Sequence, residues 1–137
     1  MKLIVSLLVA TALFISSTIT AQNKKITATV INVTSDTGKV GFALYNKTTF
    51  MKNPLQSKNA KIVDGKSTVT FENLEPGVYA VVCYHDRNDN DKMDFRENGM
   101  PLEDYGASNN VMNFGPPSFE NAKFVVAYKD VSLDIKF

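Results

Sequence analysis

At 137 residues the chain is long enough for one domain with its own core. Its 15 Lys and Arg against 14 Asp and Glu leave a formal net charge of +1, which recommends neither nucleic acid nor an anionic membrane surface as partner. Cys83 is the single cysteine, so an internal disulfide is excluded.

Residues 1–21 read as a signal peptide. Lys2 supplies a positive start, residues 3–15 form a nearly continuous apolar run, and Ile19, Thr20 and Ala21 precede Gln22 as a small-residue cleavage site. A membrane anchor fits less well. The run is short for a span, Thr11 and residues 16–18 interrupt it, and no basic stop-transfer cluster follows. No cysteine stands at the cleavage site to carry a lipid. The expectation is an exported protein, periplasmic, cell-surface or extracellular, with no membrane span after leader removal. Residues 22–137 would then form one domain in which acidic and basic side chains balance.

Residues 26–33, ITATVINV, are rich in β-branched side chains and predict a strand. A turn at Ser35, Asp36, Thr37 and Gly38 leads to residues 39–46, KVGFALYN, where Val40, Phe42 and Leu44 alternate with smaller residues. The two runs predict an opening hairpin. Residues 47–59 predict a loop, because Pro54 breaks any helix. Asp64 and Gly65 between residues 60–63 and 67–71 predict a second hairpin. Residues 78–85, apolar on both faces, predict a central strand that carries Cys83 as a buried thiol. Residues 99–110 are polar and turn-rich. Residues 111–114, 123–127 and 131–137 are further strand candidates, and residues 118–122 predict one helical turn with Ser118 as its cap. About seven short strands, no long amphipathic helix and no repeat predict an all-β, antiparallel β-sandwich with one long acidic loop.

That loop is residues 86–97, DRNDNDKMDFRE. Asp86, Asn88, Asn90, Asp94 and Glu97 occupy the first, third, fifth, ninth and twelfth places, which is the oxygen-ligand spacing of an EF-hand calcium loop. Lys92, at the seventh place, would offer its backbone carbonyl. Ca²⁺ takes about six to eight oxygens in a flexible shell, whereas Mg²⁺ demands a tighter octahedron. The sixth place is Asp91 rather than the usual Gly; Asp tolerates a left-handed backbone at some cost. Helical flanks are missing, so the expectation is a static calcium clip rather than a sensor. The plainer alternative is a metal-free polar loop held by local hydrogen bonds.

Other chemistry is thinner. Cys83 and His85 share one strand face, but their side chains project in parallel, no third residue orients them, and two ligands are too few for zinc. A hydrolase using His85 with neighbouring carboxylates, Glu103 and Asp104 among them, is the alternative to a non-enzymatic module that binds an envelope protein or carbohydrate. Tyr105, Phe114 and Phe119, among Pro101, Pro116 and Pro117, line a groove or, more simply, cap the open end of the sandwich.

Several of these residues carry a resemblance. Gly77, Tyr79 and Ala80 form a G-x-Y-A strand, followed by His85, Asp86, Asn88, Asn90 and Asp94. Downstream come Gly99, Pro101, Glu103, Tyr105, Gly106, Ser108, Asn109, Asn110, Pro116, Pro117 and Phe119. The pattern resembles a family of secreted bacterial proteins catalogued as domain of unknown function 2141, over nearly the whole chain after the leader. Ala107 departs from it, where Phe is more usual. The resemblance implies an exported β-domain and no particular reaction. Residues 71–79 also resemble the turn-to-strand element of transthyretin-like and carboxypeptidase-regulatory-like sandwich domains, an analogy of fold alone.

Overall fold

Two runs with the same alternation, β1 (Lys24–Val30) and β2 (Lys39–Tyr45), turn their bulky residues to one side, but they do so in different sheets. The computed structural model describes residues 23–111 and 113–137, and the expected leader lies outside them. β1 pairs antiparallel with β4 (Ser67–Leu74) and parallel with β8 (Val131–Ile135), giving a three-stranded sheet in the order β4-β1-β8. β2 lies between β3 (Gln56–Lys61) and β5 (Gly77–Asp86). The far edge of β5 is shared by two short strands, β6 (Tyr105–Ala107) and β7 (Phe124–Val126). Ile26, Val30, Val40, Leu44, Phe71 and Val81 fill the core between the sheets, each with no exposed surface. Burying a side chain of this size contributes about 1.5–3 kcal/mol. Among the described residues no helix is long and apolar enough to cross a membrane.

The all-β, two-layer architecture follows the sequence reading, and every pairing except β1 with β8 is antiparallel. Neither expected hairpin forms. The turn after β1 sends the chain across to the other sheet. The turn at Asp64 (φ 52°) and Gly65 (φ 72°) has the expected left-handed backbone, yet it closes only a Val63–Lys66 bridge before β4 leaves β3 for β1. The two crossings are tied together. The Asp36 carboxylate accepts the Gly65 N–H at 3.0 Å and the Asp64 N–H at 3.3 Å.

Other boundaries moved. The loop expected over residues 47–59 ends early, because β3 begins at Gln56. Its sequence, QSKNAK, lacks β-branched residues; β2 supplies the pairing, and the exposed Lys58 and Lys61 suit an edge strand. The strand expected at 111–114 is displaced: Val111, Asn113 and Phe114 lie outside any strand, and β6 forms instead within the polar segment at Tyr105. Helix α1 (Phe119–Ala122) is capped as expected, with the Ser118 hydroxyl accepting the Asn121 N–H at 3.3 Å.

Candidate functional site

β5 is central, and its inward face runs Tyr79, Val81, Cys83, His85. Its last residue, Asp86, is fully buried and begins the acidic loop. The loop wraps this carboxylate: Asp86 Oδ1 accepts the Asn90 N–H at 3.0 Å and Oδ2 the Asp91 N–H at 2.9 Å. Such a turn brings the backbone back over the first side chain. Asp89 (φ 60°) and Asp91 (φ 64°) both adopt the left-handed conformation it requires, Asp91 at the place where the sequence departs from Gly.

The wrapping gathers most of the expected ligand set. The Asn88 amide donates to Asp94 Oδ2 at 2.8 Å. The Asn90 amide lies 3.0 and 2.9 Å from the two Asp94 oxygens, and its Oδ1 accepts the Lys92 N–H at 3.2 Å. Asn88 and Asn90 therefore converge on Asp94, while Asp86 holds the loop backbone at Asn90 and Asp91. Lys92 is exposed beside them. Glu97 stands apart, exposed in the Arg96–Gly99 turn of a small hairpin closed by the Phe95–Pro101 bridge. Among the described residues no group of three or more His, Cys, Asp or Glu side chains forms a metal cage; two of the three converging side chains here are amides.

Glu103 ties the loop together through the backbone. It is 6% exposed, and its carboxylate accepts the Arg87 N–H and the Asp94 N–H, both at 3.1 Å, joining the two ends of the wrap. The sequence marked Glu103 only as one of two neighbouring carboxylates. Its partner in that reading, Asp104, instead pairs with Arg87 at 2.8 Å. A second residue outside the sequence reading is Lys39 at the start of β2. It lies directly opposite Asp86 in the β2–β5 register, and nothing local in the sequence signals this. Its ammonium meets Asp89 at 2.8 Å, bonds Asp91, and lies 3.8 Å from Asp86. Hydrogen bonds to Asp89 and Asp91 push the Lys39 pKa well above its ordinary value.

His85 is fully buried. Its Nε2–H donates to the Thr37 carbonyl at 2.7 Å, Nδ1 accepts Arg87 Nε–H at 3.4 Å, and the ring stacks on Phe137. Cys83 is buried as well, and desolvation pushes its thiol far up. The aromatic and proline set divides. Phe119 packs edge-on against Phe50, which packs edge-on against Tyr45. Tyr105, Pro101, Pro116 and Pro117 line an apolar groove of about 410 Å³ beside Met51, Met93, Phe95 and Met100. Phe114 is fully exposed.

Fold and loop together define a two-layer β domain with an acidic wrap at the end of its central strand. The chain belongs to the family described as an uncharacterized protein conserved in bacteria (DUF2141), which matches residues 28–134. No curated protein and no solved structure matches it.

Proposed function

We propose that this is an exported, non-enzymatic β-sandwich domain of the cell envelope whose 86–97 loop binds Ca²⁺ as a structural ion. The observation that carries this reading is the convergence of Asn88 and Asn90 on the Asp94 carboxylate, in a loop whose backbone is held at Asn90 by Asp86. Carboxylate and amide oxygens are the donors a hard cation selects. Each Asn brings an oxygen on the same group as the nitrogen that now faces Asp94, so turning the two amides, with Asn90 giving up its bond to the Lys92 N–H, would present two more oxygens. Bound there, the ion would stiffen the segment between β5 and β6, and the domain would present that segment to a protein or carbohydrate of the envelope. Burial of His85, with both ring nitrogens engaged inside the fold, supports a non-enzymatic role over a hydrolase. The export part of the reading rests on the leader pattern of residues 1–21.

The test is a calcium titration of the chain from Gln22 onward, followed by calorimetry and thermal melting. Calcium is expected to raise the melting temperature as a ligand of the folded state does. Asp94→Ala is expected to abolish the rise. Absence of both heat and melting shift in the wild-type protein at millimolar calcium sinks the reading.

A further inference from the structure

The carboxylates of the loop fall into two sets that face different ways. Asp94 gathers the amides of Asn88 and Asn90. Asp89 and Asp91, the residues between and beyond, turn instead toward the ammonium of Lys39. Asp86 accepts the backbone N–H groups of Asn90 and Asp91 and lies 3.8 Å from the same ammonium. Lys39 is only 20% exposed, whereas Asp89 and Asp91 are 66% and 69% exposed. The lysine is thus the fixed member, held on β2, and the loop comes to it. Arg87, the other basic residue at the start of the loop, is engaged elsewhere, by Asp104 and His85.

We propose that Lys39 is a built-in cation that clips the acidic loop to β2 in the metal-free protein and sets its calcium affinity by opposing a divalent ion at Asp86. The second half rests on the calcium reading above; the first does not. A compact ammonium needs no exact coordination shell and can neutralise several carboxylates from one side. It keeps the crowded carboxylates from repelling the loop open. The same positive charge repels an ion that shares Asp86 with it. Two charges on the ion and one on the lysine, separated by a few ångströms in a wet setting, correspond to about a tenfold change in affinity.

The experiment compares wild type with Lys39→Met, which keeps the apolar stem, and with Asp91→Asn, which removes a partner of Lys39 outside the expected ligand set. Two measurements are made: amide hydrogen exchange of Asn90 and Asp91 in chelator, and the calcium midpoint by calorimetry. Lys39→Met is expected to speed exchange at both amides and to move the midpoint about tenfold lower. Asp91→Asn is expected to speed exchange and leave the midpoint higher than in Lys39→Met. Unchanged exchange in Lys39→Met overturns the clip. A midpoint that stays or rises in Lys39→Met overturns the opposition to calcium. If wild type binds no calcium, the calcium reading and the opposition fall together, and the exchange rates still decide the clip.

Discussion

The Ser108 hydroxyl takes the place of a strand partner for Val81. It accepts the Val81 N–H at 3.1 Å, lies 3.4 Å from the Val81 carbonyl, and donates to the Ala122 carbonyl. Val81 falls in the gap on the edge of β5 between β7, which ends its pairing at Tyr79, and β6, which begins at Val82. The next two residues act in the same manner. The Asn109 amide donates to the carbonyls of Asn121 and Lys123, while Asn110 pairs with β8 through the Asp134 carbonyl and the Lys136 N–H. Three consecutive side chains thus fasten three separate segments. Ser108→Ala leaves a buried N–H without a partner and is expected to destabilise the protein by about 1–3 kcal/mol in urea unfolding; a loss indistinguishable from zero contradicts the role.

Gly38 (φ 76°) lies against the start of the acidic loop, and an added Cβ would come within 2.9 Å of Arg87 Cα. Backbone cannot swing aside as a side chain can. Gly38→Ala is therefore expected to cost about 1–3 kcal/mol from backbone strain, with the collision added to it. Thermal melting reads the total. Faster amide exchange at Asn90 and Asp91 would place the damage at the loop.

Two glutamates near the loop are expected to differ in the absence of metal. Glu103→Ala leaves the Arg87 and Asp94 amides unpaired and is expected to cost about 1–3 kcal/mol. Glu97→Ala alters an exposed turn and is expected to stay within about 0.5 kcal/mol. Equal effects in chelator would show that Glu103 does not close the wrap.

Cys83 gives a pH dependence. Burial raises its thiol far above the ordinary range, so the folded protein keeps a proton that the unfolded chain gives up. The unfolded state binds fewer protons there, and stability falls as pH rises through about 8.5 and beyond. Cys83→Ala is expected to flatten that alkaline decline, whatever its effect at neutral pH. In the folded wild type, an alkylating reagent at pH about 8 should leave the thiol unmodified until denaturant is added.

The sequence shows β1 through its β-branched run, β2 through alternation and β5 through a run apolar on both faces; all three form there, β1 shifted to Lys24–Val30. It does not show which strands share a sheet. A turn such as Asp64 and Gly65 fixes a local backbone, and the same backbone serves a hairpin or a crossing between layers. β3 and β6 escape for a related reason: their pairing is supplied by neighbours rather than by their own side chains. At the loop, regular spacing reveals Asp86, Asn88, Asn90 and Asp94, all within nine residues. Lys39 and Glu103 are recruited across the sheet and by the returning chain, so no spacing announces them. His85 also changes meaning. Because its ring is packed and bonded in the core, His85→Ala would report on folding before it reported on any reaction.

The parallel pairing of β1 with β8 has a kinetic consequence. Ile26 lies opposite Val131, so the first strand of the domain waits for the last before its sheet can close. Closing so distant a contact is slow compared with local turns. While the chain is being delivered, β1 would carry an unpaired edge on the side that β8 later covers, a template for wrong partners until the C-terminus arrives. Deleting residues 131–137 should then yield aggregation rather than a slightly weakened fold, because the missing strand guards an edge as well as filling a layer.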